Sequence, residues 1–161
     1  MHRLELISEW IGRTVSWLIL VMALTMFSIV VLRYVFHYGR IDLQEIPLYL
    51  HAIVLMLCMG YTMQHNQHVR VDILYQQFST GRRALVNLIG NIVFLIPLCI
   101  IILITSWNYV VVSWKVMERS AETGGLPFVF IIKSLTPAMA ILLLIQAIAD
   151  SLNKLSILRM R

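Results

Sequence analysis

The chain has 161 residues, of which 60% are hydrophobic and only 13% are charged, and its formal net charge is +5. Soluble domains are usually about 45–50% apolar and about 25% charged. The composition therefore excludes an ordinary soluble domain and indicates a membrane protein, whose positive charge suits basic tails facing anionic lipid better than it suits nucleic acid.

Four apolar segments follow one another along the chain, and each is long enough to cross about 30 Å of hydrocarbon, which takes roughly 17–25 residues. They predict transmembrane helices over about residues 14–36, 44–63, 84–114 and 125–149, the last interrupted by Lys133. The predicted fold is all-α, with a single domain over residues 1–161 in which the four helices form a bundle.

The segment between the second and third spans has an apolar periodicity of its own. Val71, Leu74, Tyr75 and Phe78 recur at the i, i+3, i+4 and i+7 positions of an amphipathic helix. We therefore expect a short helix over about residues 71–79 that lies on the membrane surface.

Histidines and charges precede this helix, which raises the alternative of a reactive site. His65 and His68 have an HxxH spacing, but catalytic zinc sites use a third protein ligand, and the nearest carboxylate is Asp72. Haem would need axial ligands between helices, where His51 is the one histidine inside a predicted span. We interpret His68, Arg70 and Asp72 as residues that shape the turn, with Arg70 and Asp72 paired across it.

The third span is the longest and would measure about 46 Å as a straight helix, beyond the hydrocarbon thickness. It should tilt or extend out of the bilayer, and Pro97 in its middle is expected to kink it. Such a length suits a helix that leans on a larger neighbour.

Lysine and arginine are distributed unequally between the two sides of the predicted bundle. Eight lie near the two termini and the second loop, against four in the first and third loops. Because basic residues near helix ends stay preferentially in the cytoplasm, both termini are predicted to be cytoplasmic.

Polar residues inside or beside the spans are the candidate interface positions. Arg33, Glu45 and Lys133 should lie near the non-cytoplasmic side, where we expect Glu45 to be shared between the two cations. Asn87 and Asn91, one helical turn apart, are expected to form an interhelical contact rather than a ligand site. No catalytic, metal or substrate-binding residues are predicted, and the chain is not expected to be an enzyme.

Several short segments, in order along most of the chain, carry a resemblance to a known family. They are LRYVF at Leu32–Phe36, LQE at Leu43–Glu45, MGYTM at Met59–Met63, HVRVDILY at His68–Tyr75, ERSAETGGLPFVFIIKSLTP at Glu118–Pro137 and LLLIQAIA at Leu142–Ala149. With these segments the chain resembles the small, Q-type (DctQ-like) membrane subunit of tripartite ATP-independent periplasmic (TRAP) transporters.

The resemblance implies a bacterial inner-membrane complex with two partners, a large multispanning subunit and a soluble periplasmic substrate-binding protein. The large subunit would move an organic acid, a carboxylate or sulfonate, together with sodium, and this chain would brace it and carry no cofactor. The outer loops, with Glu118, Arg119 and Glu122 exposed, are expected to help dock the binding protein. Two alternatives remain open, a membrane anchor of a redox complex and an independent small transporter.

Overall fold

A computed structural model describes residues 2–64, 78 and 80–159 of the chain. Throughout these residues the regular structure is helical, and no strand occurs among them. We number the α-helices in chain order and call the single π-helical segment π1. The elements are α1 (His2–Tyr34), α2 (Ile41–Gln64), α3 (Thr80–Gly90), π1 (Asn91–Leu95), α4 (Ile96–Lys115) and α5 (Val129–Arg159).

Four helical segments are long and apolar enough to cross a membrane, as the hydropathy pattern predicts. Because α3, π1 and α4 are continuous, they form one span. The spans are Trp10–Tyr34, Ile41–Met63, Gly81–Lys115 and Val129–Ser156. The prediction of an all-α chain with four potential spans is confirmed, whereas the amphipathic helix expected over residues 71–79, with His68, Arg70 and Asp72 beside it, lies outside the described residues.

The ends of the first and last spans differ from the hydropathy estimate because the backbone turns there. The helix α1 ends at Tyr34, and His37 follows with a positive φ of 52°. Before α5 the chain makes a loop that includes Gly124, whose φ of 85° suits glycine. The helix α5 therefore begins only at Val129, but it continues to Arg159.

The helix α5 is the central element of the bundle. It packs against α2 on one side and against the third span on the other, while α1 packs mainly on α2. The small residues Ala140, Ala147 and Ala149 of α5 are at most 1% exposed. Because small side chains let helix backbones approach closely, α5 can contact its neighbours along most of its length.

The two short connections lie at one end of the bundle, which we call the short-loop end. Residues 35–40 lead directly into α2, and residues 116–128 contact the start of α2 through Glu45. The opposite end, which we call the termini end, carries the start of α1 and the end of α5. There Gly12 lies so close to Tyr61 that a Cβ on it would be 2.3 Å from the ring.

The third span changes helical register immediately before Pro97. The N–H of Ile96 donates to the carbonyl of Asn91, five residues back, so this turn holds one residue more than an α-helical turn. Proline has no N–H, and its ring clashes with the carbonyl four residues earlier. The wide turn of π1 lies directly on the N-terminal side of Pro97, and the kink expected at Pro97 stays a prediction.

Candidate functional site

Glu45 connects α2 to the loop of residues 116–128. One carboxylate oxygen accepts a hydrogen bond from the Oγ of Ser120, and the other accepts one from the backbone N–H of Leu126 at 2.6 Å. Glu45 is 75 residues from Ser120 and 81 from Leu126 in sequence, so the contact exists only because α2 and the loop meet at the short-loop end. Both oxygens of the Glu45 carboxylate are therefore bound by the loop.

The expected sharing of Glu45 between Arg33 and Lys133 is wrong. Lys133 Nζ instead lies 2.6 Å and 2.5 Å from the two carboxylate oxygens of Glu118. Arg33 is exposed, and within residues 2–64, 78 and 80–159 no ion pair joins it to Glu45. The physical reason is the path of the loop, since Ser120 and Leu126 lie against the carboxylate and donate to it.

Lys133 lies in a partly enclosed site at the start of α5. Its side chain is 17% exposed, that of Glu118 is 34% exposed, and its Nζ lies 4.0 Å from the ring centre of Tyr109, a cation–π distance. The hydrogen bonds from Lys133 hold the pKa of the Glu118 carboxyl below its usual range. Glu118, expected to be exposed for docking, is instead bound within the chain.

Aromatic residues hold α4 and α5 together beside this ion pair. The Nε1–H of Trp114 donates to Ser134 Oγ at 2.8 Å, and its ring meets that of Phe130 edge-on with a centroid distance of 4.7 Å. Tryptophan is common at membrane interfaces, because its ring is apolar and its N–H is polar. These contacts keep the start of α5 against the end of α4 and so support the loop that joins them.

The remaining charges at the short-loop end differ in how they are bound. Arg119 and Glu122 are exposed on the loop. Arg40 contacts Asp42 with two nitrogens, at 3.0 Å and 2.6 Å, and its hydrogen bonds to Tyr38 and Asp42 raise the pKa of the guanidinium group. Of the predicted docking residues, the structure therefore leaves Arg119 and Glu122 on the surface and not Glu118.

A second polar contact lies toward the termini end. Asn91, at the start of π1, is nearly buried, and its Nδ2 donates to a carboxylate oxygen of Asp150 on α5 at 2.9 Å. The other oxygen of Asp150 lies 3.4 Å from Lys154 Nζ, one turn further along α5. Asn87 is half-buried one turn before Asn91. The contact joins the third span to α5 through side chains within the two helices.

Sequence reasoning missed Asp150 and Ser120. Asp150 lies directly after the predicted fourth span, and the i,i+4 spacing to Lys154 could have shown that the helix continues past it. Ser120 has no comparable signal, because one serine in a loop of polar residues is not distinctive. Its role depends on Glu45, which is 75 residues away in sequence.

The described spans contain three acidic residues, and each has a partner in the chain: Asp42 contacts Arg40, Glu45 contacts the loop, and Asp150 contacts Asn91. Carboxylates that carry protons or ions through a membrane face a pathway or cavity. Among the described residues no group of three or more His, Cys, Asp or Glu could hold a metal ion.

Comparison with known proteins gives one match. The family described as "Tripartite ATP-independent periplasmic transporters, DctQ component" matches residues 5–156. Neither the curated proteins nor the solved structures contain a match to the chain. The family model covers nearly the whole chain. The match lends no support to the alternative of a membrane anchor in a redox complex.

Proposed function

Because the chain belongs to the DctQ component family of tripartite ATP-independent periplasmic transporters, we propose that it is the passive bracing subunit of a sodium-coupled importer. The family implies a multi-pass protein of the inner membrane and, as partners, a large membrane subunit and a substrate-binding protein. We further propose that the substrate is an organic acid, a carboxylate or sulfonate, and that the large subunit holds both the sodium and the substrate sites.

The observation that carries the passive role is the state of the acidic residues. Asp42, Glu45 and Asp150 are all bound by groups of this chain, so the described spans offer no carboxylate to a moving ion. Energy for transport must then come from sites outside these spans. The large subunit is the natural location.

The third span is the surface that we assign to the large subunit. It is long, and its apolar side chains are widely exposed: Phe94 is 72% exposed and Ile104 is 70% exposed. Beside it a groove of about 480 Å³ runs between α2 and α4 and is lined mainly by apolar residues, among them Met59 and Leu98. A second set of helices could fill this groove, and we assign the exposed side of α1 to lipid.

Photo-crosslinking tests this assignment. A photoreactive amino acid at Ile104 should crosslink to the large subunit in native membranes, since we place that residue at the interface. The matched control is Phe27 on α1, which is 68% exposed and should crosslink to no subunit. Equal crosslinking from both positions, or crosslinking from Phe27 alone, would contradict the assignment of the third span.

We assign the short-loop end to the binding protein. If that end faces the periplasm, both termini, at the opposite end of the bundle, are cytoplasmic. Arg119 and Glu122 are exposed on the loop and can meet charges of a soluble partner. Complementary charges at the edge of an interface raise the rate of encounter and select the partner. We expect Arg119→Glu combined with Glu122→Arg to weaken docking about tenfold at low salt, with the complex still assembled.

Reversal of Glu118 is unsuitable as a docking test because it would break the ion pair with Lys133. Docking should be measured as binding of the purified binding protein to the two-subunit membrane complex in nanodiscs, over a range of salt concentrations. Unchanged affinity in the Arg119 and Glu122 variant would remove the docking role while leaving the bracing role intact.

Purification from the native membrane tests the partnership itself. The chain, tagged at its C-terminus and extracted in mild detergent, should bring down a large multispanning protein in stoichiometric amount. A haem absorption band in the purified material would favour the redox anchor. Uptake into vesicles that contain this chain alone would favour an independent transporter.

A further inference from the structure

The loop of residues 116–128 is held in one conformation by a residue from another helix. Glu45 binds the loop at Ser120 and at Leu126, so the carboxylate closes the segment between them at both ends. Hydrogen bonds to an ionised carboxylate are about twice as strong as those between neutral groups. The loop at the short-loop end is therefore fastened to α2 as well as to the two helices that it connects.

The same segment also closes on itself. The N–H of Ser120 donates to the carbonyl of Leu126 at 3.0 Å, and the N–H of Gly125 donates to the carbonyl of Glu122 at 3.0 Å. Ser120 Oγ donates to Glu45 and accepts from the N–H of Glu122 at 3.2 Å. One hydroxyl thus links the Glu45 carboxylate to the backbone of the exposed residue Glu122.

Gly125 shows how closely the loop backbone packs on the carboxylate. A Cβ built on Gly125 would lie 2.6 Å from the Cβ of Ser120 and 2.7 Å from Oε1 of Glu45. Contacts under 3.0 Å essentially never occur for real Cβ atoms, so a side chain here would displace the loop. The absence of a side chain at this position is part of what lets Glu45 reach both of its partners.

We infer that Glu45 is a positioning residue for docking: it holds the loop of residues 116–128 in a preformed shape that the periplasmic substrate-binding protein recognises. The inference rests on the proposed docking role of this loop. Ordering a flexible loop at the moment of binding lowers affinity, and a loop ordered in advance avoids that loss. Glu45 has no need to contact the partner, because it acts through Ser120, Leu126 and the exposed residues between them.

The test measures the affinity of the purified binding protein for the membrane complex in nanodiscs, together with amide hydrogen exchange in the loop. In Glu45→Ala the dissociation constant should rise about tenfold and exchange of the amides of residues 120–126 should accelerate. Ser120→Ala removes one contact and should raise the dissociation constant about threefold. Gln44→Ala, at an exposed neighbouring position, is the matched control and should change neither quantity.

Glu45→Gln separates positioning from charge. The glutamine oxygen can accept from the Leu126 N–H and its NH₂ group can donate to Ser120 Oγ, so both contacts survive without the negative charge. Affinity close to that of the unmodified complex supports positioning. Affinity as low as that of Glu45→Ala would overturn it, because the charge of Glu45 itself would then be what matters.

The outcomes separate the positioning role of Glu45 from the docking role of the loop, on which it depends. If Arg119→Glu with Glu122→Arg weakens binding and Glu45→Ala does not, the loop docks but needs no positioning residue, and the inference fails. If neither affects binding, the docking role of the loop fails first. If Glu45→Ala prevents assembly of the complex, Ser120→Ala and Gly125→Ala are measured instead. Unchanged affinity of the binding protein for both of these variants would overturn the inference.

Discussion

Lys133 shows how one charged side chain can be accommodated at the edge of a membrane span. A lysine near a helix end can extend its amine toward the headgroups, and here the amine meets Glu118 beyond the end of α4 and the face of Tyr109. Its apolar stem stays within the bundle. A lysine without a partner inside the span would be unfavourable, whereas the contact with Glu118 and Tyr109 links α5 to α4 and the loop that follows it.

The Lys133–Glu118 pair predicts a pH dependence of stability. Because the folded-state pKa of Glu118 is lowered, the pair contributes fully at neutral pH, and this contribution is lost as the pH falls through that lowered value. The unmodified protein should therefore be more heat-stable than Glu118→Gln at about pH 7, and the difference should shrink as the pH falls through the lowered pKa of Glu118. Thermal unfolding in detergent across this range measures it.

Glu122→Gln is the control for this experiment, because Glu122 is exposed on the same loop and forms no ion pair among the described residues. It should unfold like the unmodified protein at every pH. A stability difference for Glu118→Gln that stays constant as the pH falls would show that the ion pair is not its source.

Asn91 and Asp150 form a polar contact between two helices of the bundle. Polar contacts between membrane helices contribute about 0.6 kcal/mol on average, so the pair should fix geometry more than it stabilises. A double-mutant cycle with Asn91→Ala and Asp150→Ala, measured by unfolding in mixed micelles, should give a coupling energy of about this size. In the control cycle, Asn108→Ala takes the place of Asn91→Ala. Asn108 is exposed, so this cycle should give no coupling energy, and equal coupling energies in the two cycles would contradict the contact.

At the scale of the element, π1 sets the faces that the third span presents. The wide turn adds one residue relative to an α-helix and so rotates α3 against α4 by about 100°. This rotation brings Asn91 to Asp150 while Cys99, Ser106 and Ser113 of α4 remain buried against the bundle. In a regular α-helix Asn91 would lie about 80° around the axis from Cys99, and the extra residue of π1 brings the two closer to one line.

Deletion of one residue tests this account of π1. In a Pro97→Ala background, removing the exposed Phe94 should convert the wide turn to an α-helical one, with α3 and α4 keeping their faces. Removing the equally exposed Ile104 from the regular helix α4 should rotate the two halves of the span out of register. Size-exclusion chromatography should show folded protein for the first deletion and aggregate for the second, and similar profiles would contradict the prediction.

At the scale of the whole molecule, the bundle has a small interior and a large apolar surface. The buried residues of the described part are mostly small ones, and long side chains such as Trp17 and Phe94 lie outside. Lipid can cover such a surface, but a protein partner that packs on it adds stability through mass action. We therefore expect the chain to depend on the large subunit for much of its stability.

To measure this, the chain carries a fluorescent tag and is heated with and without the large subunit. Size-exclusion chromatography then detects the fraction that remains folded at each temperature. A partner at about 100 times its dissociation constant adds about 2.7 kcal/mol, which should raise the apparent midpoint by several degrees. An unrelated multispanning protein at the same concentration is the control. Equal midpoints with and without the large subunit would contradict a bracing interface of any size.

Composition and hydropathy were enough to predict the class of fold. Hydrophobicity accumulates along a contiguous segment, so the four potential spans could be found from composition alone, and the match to residues 5–156 confirms the family that the short segments indicated. The importance of Glu45, Lys133 and Asn91 could also be anticipated, because polar groups inside apolar helices need partners.

The partners of these residues could not be predicted and were found from the packing of the helices and the loop. Glu45 was expected to meet cations and instead meets Ser120 and the Leu126 N–H, and Lys133 meets Glu118. Such pairings depend on the path of the loop of residues 116–128 and on helix rotation. Both are set by distant contacts, such as the packing of Gly125 on Glu45, that no local pattern encodes.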